Sequence, residues 1–107
     1  MAREGPSDQQ SSASAPVKVE IYTDRFGASS IRAKGLLDRK GVSYSEYAVD
    51  TDEVNRQELA SRVRSNSKPP QIFVDNRLVG GLDELIALDQ RGDLDKLLGL
   101  IDGGARG

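Results

Sequence analysis

Apolar and polar positions alternate from Val17 to Thr23, with Val17, Val19 and Ile21 on one side of an extended chain and Lys18, Glu20 and Tyr22 on the other. This period of two predicts a first strand. Over residues 28–40 the period lengthens. Ile31, Ala33, Leu36 and Leu37 leave an imperfect apolar stripe, Ser29 and Ser30 are of the capping type, and Gly41 supplies a stop, which together predict a helix. Tyr44 to Val49 is rich in β-formers and predicts a second strand. A strand–helix–strand run of this length implies a right-handed crossover, so the two strands should be parallel. Thr51-Asp52-Glu53 then places acids where a helix starts, and Val54, Leu59 and Val63 lie on a strongly charged segment reaching about Arg64. A second, largely solvated helix is expected there.

Gln71 to Val74 and Leu78 to Val79 are short apolar runs around Asp75-Asn76-Arg77, where Asp and Asn favour a tight turn and hence an antiparallel hairpin. After Gly80-Gly81 the helical period returns, with Asp83 as the expected cap, Leu85, Ile86 and Leu88 on the stripe, and Gly92 as the stop. A last helix starts at Asp93, and its Leu94, Leu97, Leu98 and Ile101 have the spacing of a buried face. The order β-α-β-α-β-β-α-α predicts an α/β fold with a four-stranded mixed sheet flanked by helices, an arrangement that resembles the thioredoxin-like fold. Residues 1–16, rich in Ser, Gln, Ala and Pro, have no apolar period and read as a disordered N-terminal arm. The folded domain is expected over 17–102, with 103–107 as a flexible tail.

Composition narrows the chemistry. The chain has 107 residues with no cysteine, no histidine and no tryptophan, and 15 basic against 17 acidic side chains. A chain this short supports one core. Without cysteine there is no thiolate nucleophile, disulfide or thiolate metal site, and without histidine no imidazole base, so no metal site is expected. The net charge of −2 gives no reason to expect nucleic acid or an anionic membrane as partner. No apolar run approaches the roughly 20 residues of a membrane span, and the N-terminal residues lack the apolar stretch of a secretory signal. A cytoplasmic location is the resulting expectation.

Several segments in this order resemble the glutaredoxin family over Val17 to about Gly99: Ile21-Tyr22-Thr23 leading to Arg32-Ala33-Lys34 and Leu36-Leu37, then Gly41-Val42, Pro70-Gln71-Ile72-Phe73 with Asp75, Gly80-Gly81 before Asp83-Glu84-Leu85, Ala87-Leu88-Asp89 and Gly92-Asp93-Leu94. The resemblance implies a Cys-Pro-Tyr-Cys type motif at the start of the first helix, where unpaired N–H groups and the helix dipole make a reactive thiolate. Counted without gaps, that motif falls on Gly27-Ala28-Ser29-Ser30. Gly27 stands in the nucleophile's slot and Ser30 in the resolving slot, so neither the thiol reaction nor cluster carriage on that first cysteine is available.

The resemblance also implies a glutathione cleft. Its middle anchor pairs backbone groups beside a cis proline with the cysteinyl part of glutathione. Here the segment reads Lys68-Pro69-Pro70, and Pro69 has no N–H to give. Asp24 stands where the family commonly has a lysine for the glycyl carboxylate, with Arg25 or Lys68 available to compensate. Gly81-Leu82-Asp83 matches the segment that holds the γ-glutamyl group. Ser29 adjoins these residues in the expected cleft. The favoured expectation is a glutaredoxin-like, redox-inactive binding or regulatory module that takes glutathione weakly, or a protein partner, in a partly retained cleft. Two alternatives are a cysteine-replaced form of an active glutathione-dependent oxidoreductase, and a transferase-like use of glutathione through Ser29 or Ser30. Arg56, Arg62, Arg64 and Lys68 are read as solubilising charges, although they lie near enough in sequence to form a basic patch.

Overall fold

The computed structural model describes residues 17–64 and 67–100. The expected arm and tail, and Ile101, lie outside these residues. The elements run β1 (Val19–Thr23), α1 (Ala28–Lys40), β2 (Ser45–Ala48), α2 (Glu53–Arg62), β3 (Gln71–Val74), β4 (Arg77–Gly80), α3 (Leu82–Gln90) and α4 (Asp93–Leu97). The sheet order is β2-β1-β3-β4. β1 runs parallel to β2 and antiparallel to β3, and β3 pairs antiparallel with β4. Asp75 and Asn76 carry the β3–β4 turn with φ of 51° and 67°, the paired positive values of a tight hairpin that matches strand twist.

The period-two pattern of β1 divides two cores. Val19 and Ile21 join Leu36, Leu37, Ile72, Leu85, Leu94 and Leu98 beneath α1, α3 and α4. Tyr22 turns to the opposite face and packs with Val49, Leu59 and Phe73 under α2. β1 is consequently buried at all five positions. The last helix buries Leu94, the Leu98 that caps it is buried as well, and Leu97 stays 36% exposed at the rim.

α2 offers little apolar surface, with Leu59 its one buried residue. Polar contacts supplement it. Arg62 donates to Glu20 Oε1 at 3.0 Å and to the Tyr22 hydroxyl at 2.9 Å, and its guanidinium lies 3.8 Å from the Phe73 ring centroid. The Glu20 side chain is only 7% exposed, so this arginine neutralises a carboxylate that burial would otherwise penalise strongly. Arg56 pairs within α2 with Glu53. Arg62, expected as a solubilising charge, is thus turned inward onto a buried carboxylate.

The three expected caps, Ser29, Ser30 and Asp83, are not caps, because both serines and the aspartate lie inside their helices. α1 is capped by Gly27, with no side-chain cap bond. Ser30 faces the interior and is fully buried. α3 starts from Gly81, and the Glu84 carboxylate reaches back to accept from the Gly81 N–H at 2.7 Å. Asp83 therefore lies inside the first turn, where its charge still complements the helix dipole.

Candidate functional site

The site is built where β1 hands over to α1 and where the loop before β3 meets the start of α3. Leaving β1, the chain turns at Asp24, whose carbonyl accepts from the Gly27 N–H at 3.2 Å, and enters α1 one residue later. The half-buried Asp24 side chain folds back over this turn. Ser30, one turn into the helix, donates its hydroxyl to Asp24 Oδ1 at 2.6 Å and accepts from the Asp24 N–H at 3.2 Å.

This arrangement depends on Gly27 having no side chain. A Cβ there would lie 2.1 Å from Asp24 Oδ1, 2.5 Å from Cγ and 2.6 Å from Oδ2. The carboxylate thus occupies the space where the side chain at position 27 would begin. The carboxylate is held there by the Ser30 hydroxyl. Ser30, with its hydroxyl committed to Asp24 and no exposure, is not placed to contact a bound thiolate.

The second half of the site is a shallow depression of about 200 Å³ lined by Ser29, Lys68, Pro69, Pro70, Gln71, Gly81, Leu82, Asp83 and Glu84. All seven residues singled out from the sequence as ligand contacts meet there. The Pro69–Pro70 peptide bond is cis. Gly81 permits the approach of the two segments: a Cβ on it would be 3.1 Å from the Pro70 carbonyl oxygen, tighter than such contacts ordinarily run.

Two residues that sequence reasoning passed over shape this depression. Gln71 Nε2 donates to the Lys68 carbonyl at 2.8 Å, fixing the loop that carries Lys68. Glu84 takes the Gly81 N–H. Its signal was the spacing of an acid three residues beyond the residue before the helix, the spacing of a capping box. Asp24 and Arg25, weighed as neighbours of a glycyl carboxylate, lie elsewhere. Asp24 is turned into the helix start, and Arg25 pairs with Asp50 through its backbone N–H at 3.0 Å and its guanidinium at 3.8 Å.

A ligand shaped like glutathione would meet an uneven site. At the thiol end stands the Asp24 carboxylate. In the middle Pro69 offers a carbonyl without an N–H. At the far end the Gly81 N–H is taken by Glu84, leaving the first turn of α3 at Leu82 and Asp83, with Lys68 as the facing cation. Among the described residues no helix is long and apolar enough to cross a membrane.

Comparison with known proteins agrees with the fold. Residues 19–79 match the family model described as Glutaredoxin. A probable glutaredoxin of Synechocystis is 49% identical over 81 residues, covering 76% of this chain and 74% of that protein. Glutaredoxin 3 of Escherichia coli K12 is 46% identical over 80 residues, covering 75% of this chain and 95% of that protein. The solution structure of a glutaredoxin from Brucella melitensis superposes with a TM-score of 0.69 at 38% identity, covering 81% of this chain and 94% of that one.

Proposed function

Given that this chain belongs to the glutaredoxin family, we propose that it is a redox-inactive member acting in the cytoplasm as a binding or regulatory module, with weak recognition of glutathione at the α3 end of its cleft. One observation carries the reading: the Asp24 carboxylate fills the start of the side-chain space at Gly27 and is held there by Ser30. A cysteine exchanged for glycine in an otherwise active enzyme would leave that space empty. Here a second residue occupies it and a third fixes the occupant, which favours a settled loss of thiol chemistry over a simple cysteine-replaced form.

Thiol–disulfide exchange needs a thiolate that attacks a sulfur and accepts it into a mixed disulfide. None of the 107 residues can supply one, and a serine hydroxyl without an adjacent base does not substitute. What the cleft retains is suited to binding: the first turn of α3 for a carboxylate, the Asp83 carboxylate for an ammonium, and Lys68 for a second carboxylate.

Titration of the native chain with glutathione, followed by backbone amide shifts, tests the binding part. The expected result is saturation only at millimolar ligand, with shifts at Lys68 and Gly81–Asp83. Shifts centred on Asp24–Ser30, or none at millimolar ligand, would overturn it. Conjugation of an electrophile to glutathione at a rate abolished by Ser29→Ala would replace the reading with the transferase-like one.

A further inference from the structure

Asp24 is satisfied at one carboxylate oxygen only. Its Oδ1 accepts the Ser30 hydroxyl at 2.6 Å. Its Oδ2 lies 2.6 Å from where a Cβ on Gly27 would stand and, among the described residues, receives neither a hydrogen bond nor an ion pair. The nearest cation in sequence, Arg25, is held by Asp50 through its backbone N–H and its guanidinium. Lys68 lines the neighbouring depression and makes no ion pair with Asp24. The Asp24 side chain is half-buried and has lost part of its water, so an oxygen left without a donor gains from acquiring one. Gly27 is itself partly open to solvent and puts no side chain between this oxygen and an incoming group. Because Ser30 fixes Oδ1, Oδ2 is in place before a ligand arrives, and little side-chain freedom is lost on pairing.

The depression borders this slot through Ser29, which belongs to its lining and to the first turn of α1. A peptide with one carboxylate at the first turn of α3 and the other at Lys68 passes the cis Pro69–Pro70 bond with its middle residue. That residue's side chain then faces the start of α1. A thiol there is a weak donor, and a thiolate is repelled by Asp24. An ammonium on a side chain of the same length brings three donors and the opposite charge. A free metal ion fits less well, since Asp24 is a single carboxylate and no group of three acids able to hold one occurs among the described residues.

We propose that the cleft selects a γ-glutamyl-type peptide carrying an ammonium group where glutathione carries its thiol, and that Asp24 sets this preference. The proposal rests on the binding reading above. Asp83 and the first turn of α3 take the amino and carboxylate groups at one end of the peptide, Lys68 takes the carboxylate at the other, and Asp24 Oδ2 takes the ammonium between them.

The test titrates the full chain, isotopically labelled, with three tripeptides that differ only in the middle side chain. They are glutathione, its alanine analogue and its diaminopropionate analogue, in which an ammonium replaces the thiol. At neutral pH the diaminopropionate peptide should bind roughly tenfold or more tightly than the other two, and its amide shifts should extend from Lys68 and Gly81–Asp83 to Asp24–Ser30. Asp24→Asn keeps an oxygen for Ser30 but removes the charge, and should bring the three peptides to equal affinity. The comparison among peptides stands on the native chain alone, should that variant fail to fold. Equal binding of all three at Gly81–Asp83 overturns the preference and leaves the cleft reading intact, whereas an absence of shifts from any of them overturns both. The proposal also fails if ethylammonium shifts Asp24–Ser30 as strongly as the peptide does, which would make the slot a site for any small cation. It fails again if the preference survives in a folded Asp24→Asn chain, which would place the ammonium on Asp83.

Discussion

Restoring a thiol at position 27 is the perturbation that separates a filled slot from an empty one. In Gly27→Cys the new Cβ falls 2.1 Å from Asp24 Oδ1, so the carboxylate must rotate away and the 2.6 Å bond from Ser30 is lost. Ser30 is fully buried, and a buried hydroxyl deprived of its acceptor costs about 1–3 kcal/mol. For a domain of this size that lowers the melting temperature by roughly 5–20 °C. The displaced carboxylate stays close to the new sulfur. At a separation of about 5 Å and an effective dielectric of about 20, two like charges repel by about 3 kcal/mol, or about two pH units in the thiol's titration. The lowering expected from the α1 N-terminus is thereby cancelled, and the thiol should titrate at or above the free-cysteine value of about 8.5. In Asp24→Ala with Gly27→Cys the clash and the repulsion both disappear. Its thiol should titrate about two units lower, although its stability stays reduced because Ser30 still lacks an acceptor. Thiolate absorbance against pH, with melting curves, measures both quantities. A Gly27→Cys protein as stable as the native chain and carrying an acidic thiol would mean that Asp24 leaves the slot at no cost and does not hold it closed.

Two further outcomes follow from the packing. Arg62→Met leaves the buried Glu20 carboxylate, among the described residues, with only Lys18 at 3.9 Å, and should cost about 3–5 kcal/mol in denaturant unfolding. Glu20→Leu added to Arg62→Met should recover most of that loss, and a single-variant cost below about 1 kcal/mol would argue against the tether. Tyr44 is raised from 10.0 to about 12, first by burial and then by donating its hydroxyl to Asp38 at 3.0 Å. Because the folded state holds the neutral form, the stability it contributes is complete below pH 10.0 and is lost as the pH rises toward about 12. Tyr44→Phe should remove that part of the alkaline fall in unfolding midpoint, and an unchanged fall would contradict the assignment.

The strand alternation and the spacing of Leu94 and Leu98 made the fold legible, because apolar period reports burial directly. Caps were less legible. Ser30 and Asp83 have the residue types that cap helices, yet Gly27 and Gly81 hold those positions. Ser30 is drawn inward by Asp24, and Glu84 satisfies the N–H that Asp83 was expected to serve. At the site, the ligand-contact residues could be gathered from family spacing, and the structure brings them to one depression. The turn of Asp24 into the slot could not be read the same way. Asp24 precedes the helix, so no helical period relates it to Gly27 and Ser30, and only the backbone path reveals that they meet.

Whether this glutaredoxin-family cleft carries thiol chemistry is read by glutathione-dependent reduction of hydroxyethyl disulfide in the presence of the native chain. The expected rate equals the protein-free background at every concentration of the chain, since no residue can supply a thiolate. A rate that rises in proportion to the native protein, and survives its repurification, would contradict it.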